Sequence, residues 1–549
     1  MTVITPSLKW GLIGLAAIVL SLAQAGLFQQ DLFNLNGAPL LWKFIVASVH
    51  PDFSPELLQT TFNATLTTLA YAVCGTFFSL ILGIIGGVLT SEVWWLSFGQ
   101  PSRFWLLIRG FLAVPRAIHE LIWGLFFVNI WGLDPLTAIV AIAIPFGAIT
   151  AKVFSEILDE TPRQPLLILL NSGFSPLTAF FYSLLPQAFL NLLSYTFYRF
   201  ECSIRSAAVL GIIGAGGLGY EIFLSLQSLR YEQLWTFFYA LFILNGLVDL
   251  SSAWLRRQLG CSSRLDLNLQ QTKKKQAPKD IVRRRYFLLL PVSLALLALC
   301  FWVINPDFSK LWAPRTQQLL GQFVRSALPP DFSEVPRLIS QAIETVSMSV
   351  LAIAFSAFGG LLLAFPAANN FFLPGGLLNS NPGKSANLLP QIMLLLSRAI
   401  LLMCRAIPAP IWALVVLFVM FPGILPGAIA LGLHNLGILG RLMAEVIENQ
   451  DQRPLEALKA QGTPNSLIFL YGVLPLTMPR FVAYSLYRWE VCMRETVIVG
   501  LVGAGGLGRS LTEQLSSFDY RSLIVTLGGF LMLTFLVDWV SATARRSLR

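Results

Sequence analysis

The chain has 549 residues, of which 55% are hydrophobic and only 12% are charged. Soluble domains carry about a quarter charged residues, so this composition excludes an ordinary soluble protein and indicates an integral membrane protein. The formal charge of +10 is concentrated between apolar runs, chiefly at residues 256–285 and 545–549, which indicates cytoplasmic segments and not a nucleic-acid surface.

Long apolar runs predict membrane helices, because backbone in lipid must satisfy its own hydrogen bonds. We predict an all-α, polytopic membrane protein with about twelve transmembrane helices in two repeats of about six. In the first repeat the spans are expected near residues 10–28, 62–90, 105–133, 135–153, 180–213 (broken or with a re-entrant end) and 233–254. In the second repeat they are expected near residues 286–304, 341–366, 391–420, 425–441, 470–502 and 522–541.

The first apolar run ends in Ala23-x-Ala25, which resembles a signal-peptidase site. A similar run at residues 286–304 begins the second repeat, and an internal copy cannot be a cleaved signal. We therefore expect the first run to be a retained membrane helix.

The chain is a duplication with a nearly constant offset. The sequence PDFS at residues 51–54 returns at 330–333, an offset of 279, and from Arg109 to Asp249 the offset is 289 without a gap. The added residues are expected in the loop 369–389. We therefore divide the chain into a first repeat at residues 1–255 (core about 62–254), a basic linker at 256–285 and a second repeat at 286–549 (core about 341–542).

Basic residues predict the orientation of the repeats. With the linker and both termini in the cytoplasm, the two repeats run in the same direction. The six cysteines are scattered without a CxxC, and the three histidines are far apart, so no disulfide framework or metal site is indicated.

A polar loop after the fourth span of the second repeat carries a distinctive pattern. Glu456-Ala457 is followed by Gly462 and by Leu474-Pro475. The segment predicts a short amphipathic helix that ends at Gly462, with Glu456 and Lys459 available for ion pairs. The first repeat keeps Gly173 and Leu185-Pro186, but has Leu167 and Ile168 where the second has Glu and Ala.

Glu-Ala-x-x-x-x-Gly followed by Leu-Pro resembles the loop of binding-protein-dependent ATP-binding-cassette (ABC) importer permeases. The segments FYRFECSIRSAAVLGIIGAGGLG (197–219) and LYRWEVCMRETVIVGLVGAGGLG (486–508) are similar to those of phosphonate and phosphite permeases. The resemblance implies a permease of the bacterial inner membrane that is not an enzyme and binds no cofactor or metal. It also implies two cytoplasmic ATPase subunits that use ATP and Mg and dock on the short helices, and a periplasmic substrate-binding protein.

Leu167 and Ile168 depart from this family pattern. Either the first repeat couples weakly to its ATPase subunit, or the two ATPase subunits differ. The sequence leaves both alternatives open.

The sequence GAGGLG occurs twice and fits a dinucleotide-binding fingerprint, but each copy precedes an apolar helix and not the second strand of a βαβ unit. We interpret the motifs as tight turns on the outer side of the membrane, which either gate a pore or have no gating role. Their glycines are Gly214, Gly216, Gly217, Gly219, Gly503, Gly505, Gly506 and Gly508.

Charged residues inside or beside the spans are costly unless they are paired or face water. They are candidates either for an oxyanion pathway, which suits guanidinium, or for structural braces. We expect Arg109 and Arg398 to extend to the membrane interface. We expect Arg205 to be able to pair with Glu201 along its helix, and Arg199 and Glu201 to pair with other helices. The candidates are Arg116, Arg199, Glu201, Arg205, Arg405, Arg488, Glu490 and Arg494.

The sequence thus predicts the permease of an ATP-driven importer for phosphonate or a related phosphorus oxyanion (phosphite or phosphate). One alternative is an ABC permease for another small solute such as methionine. Another is an ion-coupled secondary transporter with two sets of six helices.

Overall fold

The computed structural model describes residues 6–27, 32–99, 103–260, 279–372, 388–451 and 453–547. Most of the predicted linker and of the loop 369–389 lie outside these residues. Within them, extended structure is confined to an isolated bridge between Phe33 and Met420. The predicted all-α fold is confirmed.

The described residues of the first repeat form twelve α-helices. Their bounds are α1 Pro6–Gln24, α2 Ala38–Ala47, α3 Pro55–Thr90, α4 Glu92–Ser97, α5 Arg103–Ala117, α6 Glu120–Trp131, α7 Pro135–Glu160, α8 Gln164–Asn171, α9 Pro176–Ala179, α10 Leu185–Leu210, α11 Leu218–Gln227 and α12 Tyr231–Leu259.

The second repeat contains eleven helices in the same order. Their bounds are α13 Lys279–Ile304, α14 Pro314–Ser326, α15 Val335–Ala367, α16 Leu388–Ala406, α17 Ala409–Val416, α18 Ile424–Glu448, α19 Arg453–Ala460, α20 Asn465–Ile468, α21 Leu474–Gly500, α22 Gly506–Ser516 and α23 Tyr520–Ser547.

The expected membrane spans are present. In the described part of the chain, nine helices are long and apolar enough to cross a bilayer. A tenth span results if α5 and α6, which meet at an angle of 81°, are taken together. α1 contributes a shorter apolar stretch at the start of the first repeat, and α13 contributes one at the start of the second. The described residues thus give nine or ten candidate spans in the two repeats, and the first span predicted for each repeat corresponds to a shorter apolar helix.

Close packing of the second span on the fourth forms the centre of each repeat: α3 packs along α7, and α15 packs along α18. Small residues make this possible. A Cβ at Gly83 would lie 2.5 Å from Thr150 Cγ2, and one at Gly360 would lie 3.1 Å from the Gly440 nitrogen. Glycines at such contacts let membrane helices approach closely. Gly83 and Gly360 make this contact at equivalent positions of the two repeats, and they are 277 residues apart. The offset of 279 between the PDFS copies therefore holds only at the start of the repeat.

The compact units of the structure divide the chain differently from the sequence repeat. One unit is Ala47–Arg325, and the other combines Met1–Val46 with Ser326–Arg549. In the first unit α13 packs against α3, with Phe78 and Phe301 edge to face at 6.1 Å. In the second unit α1 packs against α15. The first helix of each sequence repeat therefore belongs to the unit built from the other repeat.

The turn sequence PDFS occurs a third time, at residues 306–309, which the comparison of repeats missed. In all three copies the aspartate Oδ1 accepts a hydrogen bond from the serine N–H two residues later, at 2.9 to 3.0 Å. The turns at Asp52 and Asp331 come directly before the second span of the first and of the second repeat, respectively. The motif is therefore a local turn former and not only a mark of the duplication.

Candidate functional site

The polar loop of the second repeat folds into the short helix α19, which ends at a glycine turn. Gly462 has a φ of 76°. Its N–H donates to the Lys459 carbonyl at 2.9 Å, and the Thr463 N–H donates to the Leu458 carbonyl at 3.2 Å. These two bonds form a Schellman cap, which satisfies carbonyls at the helix end and requires a left-handed residue.

The loop of the first repeat has the same backbone. Gly173 has a φ of 85° and donates to the Leu170 carbonyl at 3.1 Å, and the Phe174 N–H donates to the Leu169 carbonyl at 3.1 Å. The two loops therefore fold alike although their sequences differ. We call α8 and α19 the loop helices.

One buried leucine fixes each loop helix to the chain that follows it. Leu166 is 2% exposed and Leu455 is 1% exposed. A Cβ at Gly472 would lie 2.6 Å from Leu455 Cδ2, so the helix lies directly on the next turn. The following two positions of each helix face outward: Glu456 and Ala457 in the second repeat, and Leu167 and Ile168 in the first.

A π turn joins each loop to the fifth span. The Leu185 N–H donates to the Phe180 carbonyl, and the Leu474 N–H donates to the Phe469 carbonyl, both five residues back. Pro186 and Pro475 follow in the first α-helical turn. Proline lacks an N–H and crowds the carbonyl four residues earlier, which the wider π turn relieves. The Leu-Pro pairs therefore mark this junction.

The glycine motifs reverse the chain between α10 and α11 and between α21 and α22. A Cβ at Gly219 would lie 1.8 Å from the Ala208 oxygen, and one at Gly508 would lie 2.6 Å from Val497 Cα. The absence of a side chain at these two glycines therefore lets the backbone of α11 contact that of α10, and the backbone of α22 contact that of α21. The other three motif glycines of each repeat have φ between 71° and 96°: Gly214, Gly216, Gly217, Gly503, Gly505 and Gly506.

Hydroxyl groups of the second span hold each motif in place. The Leu218 N–H donates to Thr68 Oγ1 at 2.8 Å, and the Leu507 N–H donates to Thr345 Oγ1 at 2.9 Å. Only the second motif also has a carboxylate, because the Gly506 N–H donates to Glu344 Oε2 at 3.0 Å. The motifs are turns between helices, with no βαβ unit in the described residues.

An ion pair joins the fifth and sixth spans of each repeat, and it is buried in the first repeat and half-buried in the second. Arg256 Nη2 lies 2.6 Å from Glu201 Oε1, and Arg545 Nη1 lies 2.6 Å from Glu490 Oε1. Ser252 Oγ also donates to Glu201. Glu201 thus pairs with another helix, and the alternative pairing with Arg205 along α10 does not form, because Arg256 and Ser252 occupy its carboxylate.

Arg199 and Arg488 are equivalent and buried, but their partners differ. Arg488 Nη2 donates to Glu495 Oε1 at 2.7 Å, and its Nε donates to Asn435 of α18. Arg199 Nη2 donates to Tyr195 Oη at 2.7 Å, and its guanidinium lies 4.5 Å from the centre of the Phe146 ring. The first repeat therefore holds this cation with aromatic groups and the second holds it with a carboxylate.

Two carboxylates within the helix packing, one buried and one half-buried, were missed by the sequence analysis. Glu120 accepts a hydrogen bond from Ser206 Oγ at 2.6 Å, and its other oxygen lies 3.3 Å from His119 Nε2. Glu495 is the other carboxylate. An offset of 289 aligns Glu120 with an alanine and Ser206 with Glu495, and these two charge changes between otherwise matching helices were the signal that could have identified them.

Arg109 and Arg398 each pair with a carboxylate at the end of the fourth span. Arg109 Nη2 lies 3.6 Å from Asp159 Oδ2, and Arg398 Nη2 lies 2.7 Å from Glu448 Oε1. Both arginines remain about one third exposed, so their extension to the membrane interface stays a prediction. The remaining candidates are half-buried on α5, α10, α16 and α21: Arg116, Arg205, Arg405 and Arg494.

Comparison with known proteins identifies the class of these loops and helices. Residues 79–260 and 385–549 each match the family model described as "Binding-protein-dependent transport system inner membrane component". Each matched stretch contains a loop helix, a π turn and a glycine motif.

Named relatives agree with this match. The chain is 27% identical over 444 residues to a phosphate-import permease protein of Mycolicibacterium smegmatis, covering 80% of this chain and 77% of the relative. It is 33% identical over 270 residues to a putative phosphite transport system permease protein of Stutzerimonas stutzeri, covering 49% and 89%. A solved methionine ABC transporter structure is 20% identical with a TM-score of 0.34, covering 38% of this chain and 100% of that one.

Proposed function

Because the chain belongs to the family of binding-protein-dependent transport system inner membrane components, we propose that it is the two-repeat permease of an ATP-driven importer of a phosphorus oxyanion. The observation that carries this proposal is the agreement between family match and geometry. Each matched stretch contains the same loop helix, Schellman cap and π turn. Relatives named for phosphate and phosphite support the substrate class over methionine.

In this proposal the chain is a transport subunit and not an enzyme. Two separate cytoplasmic ATPase subunits bind ATP and Mg and dock at α8 and α19. Their closure pulls on loops 154–180 and 442–470 and rocks the protein between inward-open and outward-open states. A periplasmic binding protein delivers the substrate. Family membership disfavours the ion-coupled alternative, because secondary transporters do not take work through such loops.

Several site residues enter the proposal with roles of their own. The glycine motifs of α10–α11 and α21–α22 close the outer end of the pathway. The half-buried Arg205 and Arg494 attract the oxyanion, since guanidinium matches phosphorus oxygens. Arg116 and Arg405 line or brace the same path. The basic linker, the N-terminus and the C-terminus lie in the cytoplasm of a bacterial cell, and the chain spans its inner membrane.

The substrate class is tested with the permease in liposomes, together with its ATPase subunits and binding protein. Uptake of radiolabelled phosphate, phosphite and methylphosphonate is measured, with methionine as the matched control. We expect ATP-dependent accumulation of at least one phosphorus oxyanion and none of methionine. Uptake of methionine without any phosphorus compound would overturn the substrate assignment.

A further inference from the structure

The two loop helices have the same backbone but expose different chemistry. In α8 the outward positions are Leu167 and Ile168, which are 52% and 64% exposed. In α19 the same positions are Glu456 and Ala457, which are also exposed. Two large apolar side chains on a surface helix mark a contact surface when they form part of a larger apolar patch.

The difference extends beyond two residues. Residues 164–198 contain no Asp, Glu, Lys, Arg or His, whereas the matching residues 453–487 contain Arg453, Glu456, Lys459 and Arg480. Phe174, Phe181 and Tyr182 are also more than half exposed. The loop around α8 is therefore uncharged, and Leu167, Ile168 and Phe174 are its large exposed apolar side chains, whereas Phe181 and Tyr182 belong to the candidate span Pro176–Ala215.

An open groove runs beside α8 and completes this patch. It has a volume of about 600 Å³ and is lined chiefly by Ile168, Leu169, Tyr182 and Pro186. Ile168 forms one side of the groove, and the exposed Tyr182 ring forms another. Ser183 and Gln187 add polar atoms to a lining that is otherwise apolar, so a partner side chain that enters the groove would meet mainly apolar atoms.

A bilayer surface is a poor occupant for this patch. Helices that lie in the membrane interface combine an apolar face with Lys and Arg that contact lipid head groups. α8 contains neither Lys nor Arg. The nearest basic residue before it is Arg163, whose Nη2 lies 3.4 Å from Glu92 Oε2. A protein partner with an apolar surface fits the chemistry better.

The position of α8 identifies that partner. α8 takes the place in the first repeat that α19 takes in the second, with the same cap and the same π turn. Resting on the proposed function, we propose that α8 binds its ATPase subunit through apolar contacts of Leu167 and Ile168, whereas α19 binds through Glu456. The permease thus holds its two ATPase subunits by different chemistry, and the first repeat keeps a docking site of full strength.

The test counts ATPase subunits on the full-length, affinity-tagged permease purified from its native membranes, by native mass spectrometry. The wild type is expected to retain two. Leu167→Glu/Ile168→Glu is expected to retain only the subunit at α19, and Glu456→Arg only the subunit at α8. The conservative variant Leu167→Met/Ile168→Val keeps the patch apolar and is expected to retain two.

Salt distinguishes the two kinds of contact. At about 1 M salt, exposed charges more than about 3 Å apart are screened, but apolar contacts are not. Glu456→Arg should therefore keep its one ATPase subunit, bound at α8, in high salt. Leu167→Glu/Ile168→Glu should release its one ATPase subunit, bound at α19, under the same conditions. A fluorophore attached at Ile168→Cys in a Cys261→Ser background should respond to the ATPase subunit and not to added liposomes.

Each contrary result has its own meaning. A wild-type complex without any nucleotide-binding subunit would contradict the proposed function itself. Two retained subunits in Leu167→Glu/Ile168→Glu would overturn the apolar docking site while leaving the proposed function intact. A fluorophore that responds to liposomes and not to the ATPase would assign the patch to the membrane and also overturn the inference.

Discussion

Ser206 donates a 2.6 Å hydrogen bond to Glu120 in the first repeat, and in the second repeat the position of Ser206 is occupied by Glu495. The position of Glu120 is in turn Ala409. Besides Glu201 or Glu490, each repeat thus has a carboxylate at this place in the packing, which comes from α6 in the first repeat and from α21 in the second. This exchange determines the partners of the nearby arginines. Arg488 pairs with Glu495, whereas Arg199 donates a hydrogen bond to Tyr195 and lies over the Phe146 ring.

The two equivalent arginines should respond differently to the same substitution. Arg488→Met leaves Glu495 buried with a lost cation, and breaking a buried pair in this way costs about 3 to 5 kcal/mol. Arg199→Met loses one hydrogen bond and a ring contact, worth about 1 to 3 kcal/mol together. The melting temperature in detergent, measured by scanning fluorimetry, should fall more for Arg488→Met.

The double variant Arg488→Met/Glu495→Met is the control for this comparison. Because it removes both charges, it should recover much of the stability lost in Arg488→Met. Equal losses for the two single variants, or no recovery in the double variant, would show that Glu495 does not hold Arg488.

The glycine motif should tolerate no side chain at its helix contact. In Gly219→Ala the new Cβ would overlap the Ala208 oxygen, so α10 and α11 must separate. Overpacking of this kind costs about 1 to 3 kcal/mol or more. The matched control is Gly246→Ala in α12, where a Cβ meets nothing within 4 Å. The yield of monodisperse protein and its melting temperature should fall for the first variant only, and an unchanged Gly219→Ala would refute the contact.

The PDFS turns should stabilise the protein only above acidic pH. Hydrogen bonds from the backbone and hydroxyl of Ser333 lower the pKa of Asp331 from its ordinary value of 3.8. A lowered folded-state pKa means that the stabilisation is present above the unfolded value and is lost as pH falls through the folded value. The melting temperature of Asp331→Asn should therefore lie below that of the wild type at pH 7. The difference should begin to shrink as pH falls towards about 3.8 and disappear once pH lies below the lowered folded-state pKa, and a constant difference at all pH values would contradict this assignment.

Orientation in the membrane is tested with the native cysteines. Five of the six, all except Cys261, are buried or half-buried in the described helices. Cys261 belongs to the basic linker, which we place in the cytoplasm. A membrane-impermeant maleimide should label the chain in inside-out vesicles but not in intact spheroplasts, and Cys261→Ser should abolish the labelling. Labelling from the periplasmic side would reverse the proposed topology.

Much of the fold was predictable because membrane helices have a simple signal. Apolar length alone located nine or ten of the expected spans, and a glycine located the end of the short helix at Gly462. The constant offset aligned the repeats from Arg109 onward. These features depend on local sequence, so a single chain suffices to find them.

Other features depend on contacts between distant segments and could not be predicted. The choice of Arg256 over Arg205 as the partner of Glu201 follows from how α12 packs on α10. The assignment of α1 and α13 to units built from the other repeat has no local signal either. The pairing of Arg109 with Asp159 requires the end of α7 to lie beside α5, which only the folded chain reveals.

The energy source is the central claim, and uptake in proteoliposomes treated with ionophores tests it most directly. Radiolabelled phosphorus oxyanion is followed in vesicles that contain the permease with or without its ATPase subunits and binding protein, each with imposed ion gradients and again after ionophores have dissipated them. We expect uptake only when ATP, both partners and an intact Glu456 are present. Uptake by the permease alone, driven by an ion gradient and abolished by the ionophores, would contradict the account.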